Sequence, residues 1–254
     1  MGLIYDIRTS EKALDTLIQL TGIGVEIWRN FVGREREYRF DDDLVSDVIK
    51  RYGKMPESFR NWNFIFFHIT TSKNDCGDLK KNGIMDLQKV CNSQSTELTK
   101  FLLSHGIKVS IKEKTLTTEN IRFDISFDRD LECPPDSTEE EYRWSIGRKL
   151  YYDFCVCGFL SIWEASPYGG YVHQRPEILF DLDRLLNSSL SEEWEETHKP
   201  FEVIARIKGQ YLVTEKDLLD EEITLSYLTK AYETAFGEPS ESIVLFERRS
   251  SSPS

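Results

Sequence analysis

His68 and Thr70 stand two residues apart at the end of the apolar run Phe64-Ile65-Phe66-Phe67. Residues of that kind favour strands, and the two-residue period of a strand sends both side chains to one side. A strand that delivers a histidine and a threonine to a loop has the form of part of a site. Tyr168 and Tyr171 flank Gly169-Gly170, a tight turn that sets aromatic faces beside exposed backbone. Each group also has a plain structural role open to it. A strand-end histidine can simply pack, and two tyrosines can cover a turn. Arg175-Pro176-Glu177 can be a salt-bridged helix start, and the Glu139–Glu141 and Glu192–Glu196 runs read as solvated faces.

The elements that must position these residues follow from patterning. After Thr70 comes a polar turn through Thr71, Ser72, Asn74, Asp75 and Gly77. A short amphipathic segment then stops at Gly83, the glycine just past a helix end. Upstream, Ser10 is a candidate cap and the apolar spacing predicts helix over 10–30, broken near Gly22 and Gly24. A second helix starts at Asp41, with acids in its first turn and bases in its last. Residues 1–60 thus read as a helical N-terminal extension. Downstream, the spacing predicts one helix over 86–105, closed by His105-Gly106 with His105 against the last helical carbonyls. Strands are predicted at Val109–Ile111 and Ile121–Phe127 around a Lys112–Asn120 loop. A capping box of Ser137 with Glu140 opens a helix through about Cys157. A loop-rich stretch follows from Leu160, then a helix from Pro176 to Leu186 and an acidic solvated segment over 188–199. A strand from Phe201 has its partner or continuation at 210–214, a helix covers 221–236, and residues 241–247 form a last strand. Residues 249–254 read as a disordered tail. The fold class is α+β with a mixed or antiparallel sheet, the second domain running over 61–248, because the elements lack the steady alternation of a doubly wound sheet.

Composition narrows the function classes. The 254-residue chain is 39% hydrophobic and 12% aromatic, which suits a folded protein. A formal net charge of −12 disfavours non-specific attraction to nucleic acid or anionic membrane. The opening Met1-Gly2-Leu3-Ile4-Tyr5 lacks the form of a secretory signal, Asp6 argues against myristoylation at Gly2, and no apolar run approaches the ~20 residues that span a bilayer. These features predict a soluble cytoplasmic protein without membrane contact. Cysteines 76, 91, 133, 155 and 157 form no C-x-x-C pair and read as reduced, mostly buried thiols, with no metal site. A phosphate loop, nucleophile elbow, zinc motif or dinucleotide glycine fingerprint is absent from the sequence.

Residues 64–84, with His68-Ile69-Thr70 and then Gly83-Ile84, resemble the first motif of the ADP-ribosyltransferase superfamily, in particular its toxin-like and phage-defence members. The resemblance extends in order of elements over about 63–247. It implies a transferase that cleaves NAD, used as a substrate, and passes ADP-ribose to an acceptor, protein or nucleic acid, whose identity the sequence leaves open. A regulatory protein partner also fits. By the same resemblance His68 would hold the nicotinamide-side ribose with Thr70 beside it. Tyr171, with Tyr168 as the second choice, would stack on the nicotinamide. Glu241, before the last apolar strand, would be the catalytic carboxylate, with Glu215 and Glu177 as alternatives. An oxocarbenium-like transition state calls for such a carboxylate. The competing expectation is a non-catalytic α+β interaction module with an acidic partner-binding surface.

Overall fold

A computed structural model describes residues 2–34, 37–38, 40–127, 138–161, 171–214, 217–237 and 242–246. In chain order the elements are β1 (Ile4–Tyr5), α1 (Ser10–Thr21), α2 (Val25–Arg29), α3 (Asp41–Tyr52), β2 (Asn63–Ser72), α4 (Gly77–Asn82), α5 (Leu87–Asn92) and α6 (Glu97–Ser104). There follow β3 (Lys108–Ser110), β4 (Thr115–Thr117), β5 (Arg122–Asp124), α7 (Thr138–Tyr151), β6 (Val156–Ser161), α8 (Glu177–Leu186), α9 (Leu190–Thr197), β7 (Lys199–Lys208), α10 (Asp220–Phe236) and β8 (Ser242–Phe246). The chain is an α+β protein. It divides into two compact units, one of residues 1–68, 157–166 and 203–254, the other of 69–156 and 167–202. The sequence boundary near residue 60 does not coincide with this division.

In the first unit the sheet runs β1-β2-β6-β8, with β7 also on β2. It is mixed: β1 is parallel to β2, with Tyr5 opposite Phe64, and β6 is antiparallel, with Phe159 opposite Phe67. Helices α1 and α3 pack on α10, so the N-terminal helices belong to the core of this unit. The acids at 41–43 and bases at 50–51 sit on opposite ends of α3, as the helix dipole favours. Tyr5, Trp62, Phe64 and Tyr227 form an aromatic cluster with centroids 4.7–6.1 Å apart. Such pairs add about 0.5–1.5 kcal/mol each beyond area burial. The Tyr5 hydroxyl, fully buried, donates to the Tyr227 carbonyl at 2.7 Å, which satisfies a group otherwise costly to bury.

The second unit carries the antiparallel sheet β3-β4-β5, with Val109 opposite Leu116 and Leu116 opposite Phe123. Its core gathers Leu102, Leu116, Ile146, Leu150, Leu182 and Trp194. Several expectations are corrected here. The helix over 86–105 is two helices, because Thr96 caps α6 by accepting from the Thr99 N–H. The Lys112–Asn120 loop contains β4, which closes the sheet. Helix α7 ends at Tyr151 and the stretch to Cys157 turns into β6. The acidic segment 188–199 holds α9, whose Trp194 is 2% exposed. In the first unit, 210–211 belong to a 3-10 turn, and Leu212 bridges Phe246 while the Val213 N–H donates to the Leu245 carbonyl, in place of a strand. The cap of α1 is Thr9, which accepts from Lys12. Cys133, Ser137 and the 249–254 tail lie outside the described residues.

Candidate functional site

Strand β2 is longer than its apolar run, and its buried face changes over along its length. Phe64 and Phe66 are buried, then Phe67 and His68 are half-buried, then Ile69 and Thr71 are buried. His68 and Thr70 therefore continue the Phe64–Phe66 face just where that face loses its cover. Gly158 of β6 makes room for the strand, since a Cβ there would run into the Phe66 ring. Phe66 in turn packs on Phe246, centroids 4.9 Å apart.

His68 Nδ1 lies 3.1 Å from the Cys157 carbonyl oxygen. A carbonyl can only accept, so Nδ1 carries the proton and Nε2 presents its lone pair. Burial lowers the His68 pKa below its ordinary value of 6.5, partly offset by the bond to Cys157. The ring is therefore neutral at pH 7 and offers an acceptor. That arrangement suits a hydroxyl donor and not an anion.

Beyond Thr70 the chain is held by a network within the second unit. The Ser72 hydroxyl donates to Glu97 Oε2 at 2.7 Å and accepts from the Cys76 N–H at 3.0 Å. Glu97 Oε1 accepts from the Lys73 N–H at 3.2 Å, and Asn74 Oδ1 accepts from the Gly77 N–H at 2.8 Å. These bonds hold Asp75 and Cys76 in left-handed conformations, φ 55° and 59°, which non-glycine residues adopt at a cost. Helix α4 then ends at Gly83, φ 72°, as its sequence predicts. The Ser72-x-Asn74 spacing is a readable turn signal, but Glu97 is 25 residues from Ser72 and sequence reasoning missed it.

Tyr171 belongs to the second unit and is 62% exposed. The Arg175 guanidinium lies 4.9 Å from its ring centroid, a cation–π contact, and pairs with Glu195 at 2.5 Å. Glu177 sits 3.6 Å from Lys149. Arg175 and Glu177 are thus each ion-paired, to other elements. Tyr168, Glu215 and Glu241 lie outside the described residues. Ser242, which follows Glu241, begins β8, and β6 alone separates β8 from the His68 strand in the sheet.

His105 takes its expected place. Its Nδ1–H donates to the Phe101 carbonyl at 2.8 Å, and with Glu193 at 2.8 Å on Nε2 its pKa is raised. Burial pushes the Cys91 thiol up to about 12, so it stays protonated and unreactive. Among the described residues no cluster of histidine, cysteine and carboxylate side chains could hold a metal ion, and no helix is long and apolar enough to cross a membrane. Comparison of the chain with protein-family models, with curated proteins and with solved structures found no match.

Proposed function

We propose that the chain is an ADP-ribosyltransferase-like enzyme that transfers ADP-ribose from NAD to a macromolecular acceptor, as a toxin or an anti-phage defence protein. The observation that carries this reading is the fixed tautomer of His68, a neutral ring with its Nε2 lone pair presented at a half-covered strand end beside Thr70. A ribose hydroxyl donates to such an atom. Tyr171, held on one side by Arg175 and largely exposed, is the aromatic surface for the nicotinamide, with Tyr168 the second choice. Glu241 is the carboxylate, next to a strand of the same sheet as His68. Glu177 is the weaker alternative because Lys149 already engages it.

In this mechanism the C–N bond between nicotinamide and ribose breaks, and its electron pair leaves with nicotinamide. The carboxylate of Glu241 stabilises the oxocarbenium-like ribosyl cation. A nucleophile of the acceptor then bonds to the anomeric carbon and releases its proton to solvent water. His68 holds the ribose through the ring nitrogen and does not transfer a proton.

Isothermal titration with NAD tests the reading, run on the wild type and on His68→Ala shown to be folded by circular dichroism. Binding by the wild type that is lost in the folded variant supports it. No heat at NAD concentrations on the order of 1 mM, with no thermal shift, favours the non-catalytic interaction module.

A further inference from the structure

Strand β3 is an edge strand. Among the described residues it pairs only with β4, Lys108 to Thr117 and Ser110 to Thr115, and its other edge faces a groove made with α5 and α6. The groove encloses a cavity of about 220 Å³. All five residues 108–112 line it. Side chains of a strand alternate between two faces. The groove touches all three consecutive strand residues, Lys108, Val109 and Ser110, before the turn residues Ile111 and Lys112, so it runs along the strand's backbone edge. That edge holds N–H and C=O groups that a further strand could pair.

The lining has two halves. Leu102, Leu103 and Ile107 make an apolar floor, and Leu103 remains 45% exposed. Gln94, Lys108 and Lys112 make a polar rim, all three exposed. Nearby cations are engaged: Lys89 with Asp86, Arg122 with Glu113, Lys149 with Asp181. Lys108 and Lys112 form no ion pair among the described residues. Among the described residues two lysines and no carboxylate therefore line this groove, in a chain of net charge −12.

The geometry points to β3 as a docking edge for an extended acidic peptide segment of a partner protein, added as a further strand. Backbone bonds to the edge supply affinity, carboxylates meet Lys108 and Lys112, and an alternate apolar side chain seats on Leu102 and Leu103. A single strand of nucleic acid fits less well, because such sites stack bases on aromatic rings and no ring lines the groove among the described residues. The site is independent of the NAD reading.

The probe is a fluorescein-labelled, end-blocked peptide, Asp-Val-Glu-Leu-Glu-Val-Asp, followed by fluorescence anisotropy, with backbone amide shifts of residues 108–112 as the second readout. The wild type binds saturably and these amides shift. Lys108→Glu with Lys112→Glu weakens binding about tenfold or more, since like charge at a docking surface repels. The same peptide N-methylated at alternate amides does not bind. Leu103→Glu serves as a second variant should the double substitution unfold the chain. Absence of binding to the wild type overturns the proposal, as does equal binding by the charge-reversed protein or by the N-methylated peptide. Preferential binding of an oligothymidine strand of equal length would replace the peptide with nucleic acid.

Discussion

Trp194 and His198 stack face to face, ring centroids 3.4 Å apart and planes 5° from parallel. The indole N–H donates to Thr71 Oγ1 at 2.8 Å, so α9 is fastened to the end of β2. The imidazole Nδ1–H donates to the Trp194 carbonyl at 2.9 Å, closing the helix on itself. His198 Nε2 is buried without a hydrogen-bond partner among the described residues. Phe101 packs edge-on to both rings and also touches His105. Two histidines of one aromatic cluster thus have opposite electrostatic fates.

Their opposition predicts a two-sided pH profile of stability. Burial lowers the His198 pKa, against the Trp194 carbonyl and Glu97 that raise it, with Lys73 lowering it further. A group with a depressed folded pKa contributes stability above its unfolded value of 6.5, lost as pH falls through the folded value. The Phe101 carbonyl and Glu193 raise the His105 pKa. Its contribution is complete below 6.5 and is lost as pH rises through the folded value. Thermal midpoints measured from pH 5 to 8 (roughly the range in which histidine titrates) should therefore respond to each residue separately. His198→Phe should flatten the loss on the acid side, and His105→Asn the loss on the other. An acid-side slope unchanged in His198→Phe would remove this residue as its source.

The glycines predict two different kinds of damage. Gly83 has φ 72° and ψ −177° with nothing within 4 Å of an added Cβ. Gly83→Ala therefore costs only the strain of this positive-φ extended backbone, which glycine alone adopts readily, about 1–3 kcal/mol. Gly158→Ala drives a methyl into the Phe66 ring in a packed core, at about 1–3 kcal/mol. The two separate in a double-mutant cycle read by urea unfolding. Phe66→Leu should recover part of the Gly158→Ala loss and none of the Gly83→Ala loss. Simple additivity of Gly158→Ala with Phe66→Leu would contradict the contact.

What the sequence revealed, and what it hid, follows the range of the forces involved. Helices α3, α8 and α10, strand β2 and the stop at Gly83 are local: periodicity, end charges and one glycine suffice. The split between α5 and α6 rests on a threonine cap, another local signal, masked by apolar spacing that continues across it. Strand β6 was hidden because Val156-Cys157-Gly158-Phe159 has no alternation to distinguish it from a helix end. Its glycine makes sense only once Phe66 lies against it. In α9 the burial is carried by Leu190, Ser191 and Trp194 among four glutamates, so the composition of 188–199 pointed to solvent. The His68 strand could be read directly. Its tautomer could not, because it is set by a carbonyl 89 residues away.

That tautomer is the property of the candidate site most directly open to measurement. Long-range ¹H–¹⁵N correlation spectra at pH 7 should show His68 neutral, with the proton on Nδ1 and an unprotonated Nε2. Burial should hold its titration midpoint below 6.5. The stability sign is that of a depressed pKa: the contribution is present above 6.5 and declines as pH falls through the folded value. His68→Asn keeps an N–H that could reach the Cys157 carbonyl but removes the ring and its second nitrogen. It should preserve the fold and lose whatever ligand donates to Nε2. An Nε2–H tautomer in the folded protein would mean that the bond to Cys157 is not made, and the reading of His68 as a fixed acceptor would fall with it.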